Sequence, residues 1–218
     1  MPTLNEESNI EAVVRIICEV CLRLTNDGYN SRVLIADSST DNTAFLARLF
    51  GCEVCEVKER GYGAAYKKAL SIIDDGLVFT LDADQTYSAW EIFNFLNNYE
   101  EGAFISGNRL IRENKASFTL LNWFGNKLFN FITLALLNVK LKDSQSGQWL
   151  FNIDDYRKLS CKEDGMPFST EIKLEASKKL KFKEIEISYA KRLDKAKLRP
   201  LYDGWQIIKF LVRRKIYG

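Results

Sequence analysis

Two acids, Asp82 and Asp84, stand one residue apart at the end of an apolar run, Gly76-Leu-Val-Phe-Thr-Leu81. The run is short, rich in β-branched and aromatic residues, and preceded by the breaker Asp74-Asp-Gly76, so it reads as a buried strand. Strand alternation places both carboxylates on one face, with Ala83 between them. Two carboxylates where a buried strand ends are costly unless a cation meets them. In open α/β sheets that end is also where ligands sit. A hard divalent cation, held by oxygen ligands and shared with a phosphate-bearing partner, suits such a pair. The competing reading is a capping Asp for a helix that begins near Ser88.

The rest of the composition narrows the chemistry. There is no His in the 218 residues, which excludes a Ser–His or Cys–His nucleophile pair and a His-ligated metal. Five cysteines, an odd number, fit free thiols in a reducing compartment. A net charge of +2 is too small to argue for a nucleic-acid partner, yet Lys and Arg crowd into residues 191–215. With 46% hydrophobic and 28% charged residues, the chain is an ordinary globular one, long enough to bury a sizeable core. No signal-peptide pattern is visible, and no run of 18 uninterrupted apolar residues suggests a membrane span.

The elements that must position the acids follow from periodicity. Ile10, Val13, Val14, Ile17, Val20, Cys21 and Leu24 mark an amphipathic helix stopped at Asp27-Gly28. Residues 31–37 read as a strand running into the polar turn Ser38-Ser-Thr-Asp-Asn-Thr43, which could cap a helix over 42–50. Residues 51–57 alternate as a strand, and Gly61-Tyr-Gly-Ala-Ala65 is a small-residue helix entry. After the acid pair come a helix over 88–99 and a strand over 102–107, ending at Asn108-Arg109. This alternation predicts an α/β fold, a mostly parallel sheet with helices on both faces, in one domain over 1–218. The second half differs. Residues 118–139 form a long apolar helix, either a core helix or one lying at a membrane surface with aromatics facing lipid. The polar turn Asp143-Ser-Gln-Ser-Gly147 precedes a strand over 149–153; a helix over 169–179 and a strand over 182–189 follow. A basic amphipathic segment, about 190–218, contains a last helix from about Gly204.

Five segments stand in one order: Pro2-Thr-Leu-Asn-Glu-Glu7, Asp37-Ser-Ser-Thr-Asp-Asn-Thr43, Gly61-Tyr-Gly-Ala-Ala65, Asp82-Ala-Asp-Gln-Thr86 and Asp143-Ser-Gln-Ser-Gly147. Together they resemble a family 2 inverting glycosyltransferase of the GT-A fold. The likeness is closer to the polyprenyl- or dolichyl-phosphate sugar synthases, of the dolichol-phosphate mannosyltransferase type. That branch is also similar in Tyr189-Ala-Lys-Arg192, Ala196-Lys-Leu198 and Asp203-Gly204. The resemblance implies a Rossmann-like sheet, a Mg²⁺ or Mn²⁺ cofactor, a UDP- or GDP-linked sugar donor and a polyprenyl or dolichyl phosphate acceptor. Many members of that family carry transmembrane helices after the catalytic domain; with no span visible in this sequence, attachment at the cytoplasmic face of a membrane is expected to be peripheral or through a partner. By position, Pro2, Asn5 and Glu6 would lie along the nucleotide pocket and Asp37 would contact the base. Asp84 would bind the metal on the donor diphosphate, with Asp82 supporting the pair. Arg109, Ser146 and Arg192, with Lys197 nearby, would meet phosphates of acceptor or donor.

Physical chemistry agrees with this assignment. The growing charge of a departing nucleoside diphosphate needs a metal or an Arg clamp. A phosphate monoester, with a second pKa of about 6, is already a nucleophile near neutral pH, so the lack of His costs nothing. A sugar hydroxyl acceptor would want a base, which the Asp143 turn could supply. Two other readings stay open: a family 2 transferase acting on a glycan hydroxyl in cell-surface polysaccharide synthesis, and a catalytically decayed binding module. Locally, the Gly61–Gly63 pair could cradle a phosphate or permit close helix packing. Arg192, Lys195, Lys197 and Arg199 could be a solvated face or meet an anionic surface. Three features depart from the family pattern. The hydrophobic strand expected before Pro2 is missing, Ala36 precedes Asp37 where a second acid is common, and Gln85 directly follows Asp84.

Overall fold

The computed structural model describes residues 1–192 and 200–217. Strands and helices alternate as β1 (Pro2–Thr3), α1 (Ile10–Asn26), β2 (Leu34–Asp37), α2 (Thr43–Leu49), β3 (Glu53–Glu56), α3 (Tyr62–Ser71), β4 (Leu77–Phe79), α4 (Glu91–Asn98) and β5 (Ala103–Asn108). The second half adds α5 (Leu120–Leu137), β6 (Trp149–Asn152), α6 (Ile153–Tyr156), α7 (Phe168–Lys179), β7 (Lys181–Glu186) and α8 (Pro200–Tyr217).

The strands form two half-sheets. One has the order β1-β2-β3 and is parallel throughout; the other has the order β4-β6-β5-β7. Strand β6 runs antiparallel to both β4 and β5, while β5 and β7 are parallel. Pro2 and Thr3 pair with Ala36 and Asp37, so the segment before the first helix is a strand of two residues. Between the half-sheets lies a cavity of about 540 Å³, lined by residues 31–34 on one side and 74–81 on the other. The Met1 amine donates to the Leu34 carbonyl at 2.8 Å, and burial lowers its pKa to about 6.

Each half-sheet is covered by apolar faces. Helix α1 buries Ile10, Val13, Val14, Ile17, Val20 and Leu24, the stripe expected from its period. All six residues of β5 are buried, which makes it the centre of the second half-sheet. Phe104 stacks on Phe151 at 5.1 Å, and Trp149, Phe168 and Ile172 complete that core. Helices α5 and α8 pack on each other around Ile207, Phe210, Leu211 and the half-buried Phe129 and Ile132. Thr119 caps α5 by accepting from the Asn122 N–H.

The elements differ from the periodicity in a few places. Strand β4 ends at Phe79, so Asp82 and Asp84 sit in a bend past it and strand alternation does not set their directions. Helix α8 starts at Pro200 rather than near Gly204, and β7 stops at Glu186. Ile153 belongs to a short helical turn, α6, which Asn152 caps by accepting from the Asp154 N–H at 2.8 Å.

Candidate active site

The end of β4 is tied to the turn that feeds β6. Thr80 Oγ1 donates to the Gly147 carbonyl at 2.7 Å and accepts from the Trp149 N–H at 2.9 Å. This brings Asp82 against Gly147, where no side chain fits. A Cβ there would lie 2.4 Å from Tyr62 Oη and 3.3 and 3.4 Å from the two Asp82 oxygens. Asp82 is half-buried, and no Lys or Arg stands within ion-pair distance among the described residues. Loss of water, and next the Asp84 charge, push its pKa up to about 7 against the pull of Arg192 and Arg109.

Asp84 is held differently. It is buried, and its Oδ1 accepts from the Thr86 N–H at 3.1 Å and from Thr86 Oγ1 at 2.5 Å. Its Oδ2 pairs with the Arg192 guanidinium. Gln85, between them, takes a left-handed φ of 62°. Its side chain donates to Asn9 Oδ1 at 2.9 Å, and Asn9 donates in turn to Glu6 Oε2 at 2.9 Å. The acidic bend is thereby linked to the start of α1.

The residues expected along the nucleotide pocket gather at the carboxyl ends of β1 and β2. Pro2 lies in β1, one residue before Thr3, whose hydroxyl donates to Asp37 at 2.6 Å. Ser39 adds a hydroxyl at 2.5 Å and a backbone N–H at 3.2 Å to the Asp37 carboxylate. Asn5, with φ 53°, donates its N–H to Ser39 Oγ and accepts the Thr40 N–H at 2.8 Å. The Glu6 N–H donates to Thr43 Oγ1 at 2.8 Å.

Arg109 and Ser146 lie deeper. Arg109 is 7% exposed and donates from Nε and Nη2 to the two oxygens of the fully buried Asp143, at 2.8 and 2.9 Å. Its guanidinium carbon also lies 5.1 Å from the Tyr189 ring centre and 5.8 Å from those of Tyr87 and Phe118. Burial works against the Asp143 carboxylate, but the Arg109 charge outweighs it and holds that group below its ordinary range. Ser146 is engaged chiefly through its carbonyl, which accepts from Lys173 Nζ at 2.6 Å and Trp149 Nε1 at 2.8 Å. Lys197 lies outside the described residues.

Lys173 is a residue that periodicity did not single out. It is fully buried on α7, and Nζ also donates to the Asp143 carbonyl at 3.0 Å, so it closes the 143–147 turn from behind. Burial pushes its pKa down to about 7. The apolar stripe of α7, Phe168, Ile172 and Ala176, gives no hint of it, since Ser169, Thr170, Glu171, Lys173 and Glu175 are buried as well. The Gly61–Gly63 turn serves packing. A Cβ at Gly61 or Gly63 would lie 2.2 Å and 2.3 Å from the carbonyls of Asp164 and Glu163. One of the first-turn N–H groups of α3 is also used, since Ala64 donates to the Asp164 carbonyl.

Asp82 and Asp84 therefore offer hard oxygen donors, one without a cationic partner. Among the described residues no cluster of three or more His, Cys, Asp or Glu side chains is arranged to hold a metal. A divalent cation here would take the two carboxylates and complete its shell with phosphate oxygens and water, an arrangement that suits Mg²⁺ or Mn²⁺.

Residues 1–160 match the model of "Glycosyl transferase family 2". The chain belongs to that family. Among its curated relatives, the low-salt glycan biosynthesis hexosyltransferase Agl6 of Haloferax volcanii is 32% identical over 97% of this chain, which spans 52% of that protein's length. A dolichyl-phosphate hexose transferase of the same organism is 29% identical over 98% of this chain and 91% of its own. Among solved structures, glucosyl-3-phosphoglycerate synthase from Mycobacterium tuberculosis, in complex with phosphoglyceric acid, superposes with a TM-score of 0.75 at 20% identity, covering 100% of this chain and 79% of that one. The same enzyme with Mn²⁺, UDP and phosphoglyceric acid gives 0.73 at 19%, covering 99% and 76%. These superpositions establish the GT-A fold.

Proposed function

We propose that this family 2 chain transfers a hexose or N-acetylhexosamine from a nucleoside diphosphate sugar, UDP- or GDP-linked, to a polyprenyl or dolichyl phosphate, with inversion at the anomeric carbon. The observation that carries the reading is Asp82, a half-buried carboxylate without a cationic partner beside the Arg-paired Asp84. The names of the two Haloferax relatives, one a dolichyl-phosphate hexose transferase, support it. An acceptor phosphate oxygen attacks the anomeric carbon. The bond to the donor diphosphate breaks, and its electron pair leaves with the nucleoside diphosphate. Attack opposite the leaving group inverts the centre. Bound at Asp82 and Asp84, Mg²⁺ or Mn²⁺ would supply positive charge to the departing diphosphate. Pro2, Asn5, Glu6 and Asp37 line the donor side. Arg192, on the more open flank, grips phosphate. Arg109 holds the Asp143 turn, and Gly147 stands against Asp82.

Contact with the cytoplasmic face of a membrane fits two exposed apolar stripes. Leu120, Phe124 and Phe131 stand exposed on α5, as do Trp205, Val212 and Ile216 on α8, with Lys209 and Lys215 exposed beside the latter. Such faces lie in an anionic interface. No helix among the described residues is long and apolar enough to cross a membrane.

The test is a screen of UDP- and GDP-hexoses and N-acetylhexosamines, with Mg²⁺ or Mn²⁺, against polyprenyl phosphate in detergent. One donor should give a glycolipid sensitive to mild acid. A second reading, transfer to a glycan hydroxyl, draws on the Asp82 pKa near 7, which suits a base. Transfer to oligosaccharide but not to polyprenyl phosphate would select it, and transfer to neither would overturn both.

A further inference from the structure

The two acids, Asp84 buried and Asp82 half-buried, are neutralised unequally. Asp84 has an internal counter-ion, Arg192, and Asp82 has none among the described residues. The segment carrying Arg192 is anchored short of it. Asn114 Nδ2 donates to the Ile187 carbonyl at 2.7 Å, and its Oδ1 accepts the Tyr189 N–H at 3.1 Å. Tyr189 bridges to Tyr87, its ring stacks on Phe118 at 5.0 Å, and the Ala190 N–H donates to the Thr86 carbonyl at 2.8 Å. Arg192 lies two residues past that last bond, with its side chain 27% exposed. Its guanidinium can therefore leave without undoing the strap. Asp84 meanwhile stays in place, because Thr86 holds its other oxygen twice.

We propose that Arg192 and a divalent cation exchange at Asp84: the guanidinium occupies the carboxylate when no cation is bound, and the arriving cation displaces it. This rests on the reading that Asp82 and Asp84 hold Mg²⁺ or Mn²⁺. The charges decide the direction. Three formal charges in one half-buried place, two negative and one positive, leave a deficit that a guanidinium at one edge does not fill. A divalent ion between the carboxylates balances both, and Arg192 is then an unwanted third cation. Once displaced, it is free for an anion. The exchange therefore ties the cation that arrives with a nucleoside diphosphate to the exposure of a phosphate-gripping arginine, and orders the substrates: donor with metal first, phosphorylated acceptor second.

The experiment measures Mn²⁺ binding without nucleotide, by the loss of the free-ion electron paramagnetic resonance signal, in the wild type, R192Q, R192K and D84N. R192Q should bind Mn²⁺ about ten-fold or more tightly than the wild type, since an opposing unit charge is removed. R192K, which keeps the charge, should stay near the wild type, and D84N should lose the site. Thermal unfolding supplies a second reading: Mn²⁺ should raise the Tm of R192Q more than that of the wild type. Equal or weaker Mn²⁺ binding by R192Q, or none at millimolar Mn²⁺, overturns the exchange. Tighter binding by R192Q together with no sugar transfer by the wild type from any donor would uphold the exchange and overturn the transferase reading.

Discussion

At Gly147 the absence of a side chain is what lets Asp82 and Tyr62 stand where they do. Gly147→Ala would put a methyl 2.4 Å from the Tyr62 oxygen, and tyrosine is too rigid to yield without moving Asp82. Transfer should fall at least about 100-fold, in line with displacing a group that stabilises charge. Removing the oxygen in Gly147→Ala with Tyr62→Phe should recover part of the rate. Equal activity in both variants would show that the close packing has no bearing on the acid pair. Asp82 has a separate, pH-dependent consequence. Its folded pKa, about 7, is raised above its ordinary 3.8. Between those values the native state holds a proton that the unfolded chain has lost, so stability falls as pH rises through that window and is flat above it. Asp82→Asn should remove this dependence and raise the metal-free Tm at pH 8 by a few degrees, corresponding to about 1–2 kcal/mol. A lower Tm at pH 8 would contradict the assignment of that strain to Asp82. The acid pair itself was legible from residue types alone. Its unequal partners were not, because the contact between Asp84 and Arg192 joins residues far apart in sequence.

At the scale of elements, the Asp143 turn is a clamp between the end of β5 and the start of β6. Arg109 follows β5 directly, and Lys173 on α7 closes the turn from behind. Asp143→Asn leaves a buried guanidinium without its carboxylate, a loss of about 3–5 kcal/mol. The Arg109→Met, Asp143→Asn double variant should regain much of it, measured by urea unfolding. Additive losses would mean that the pair is not coupled. The helices and most strands were readable because their apolar residues follow one period, as in α1 and β5. Two features were not. Strand β4 is only three residues long, so the acids that seemed to extend it lie in a bend. Helix α7 itself was legible, but the burial of its Glu171, Lys173 and Glu175 was not, because they serve neighbouring backbone groups and carry no pattern of their own.

For the whole molecule, the residues proposed for the donor side follow β1 and β2 and the acids follow β4, so the proposed site spans both half-sheets. The family likeness named the expected site residues; the division into two half-sheets was not legible, because it depends on pairings between distant strands such as β4 with β6. The α5–α8 face makes a membrane-scale prediction. With vesicles containing about one-third anionic lipid, Trp205→Glu should lower binding about ten-fold or more with little change in Tm, because Trp205 is 62% exposed. Higher salt should weaken wild-type binding. Unchanged binding in the Trp205→Glu protein would remove α8 from the membrane contact.

The central claim concerns Asp84, and the most direct test is the initial rate of hexose transfer from labelled donor to polyprenyl phosphate by the wild type and by Asp84→Asn at matched folded concentration. The account predicts transfer by the wild type and a loss on the order of 10³-fold in the variant. An Asp84→Asn protein that transfers sugar at the wild-type rate would contradict it.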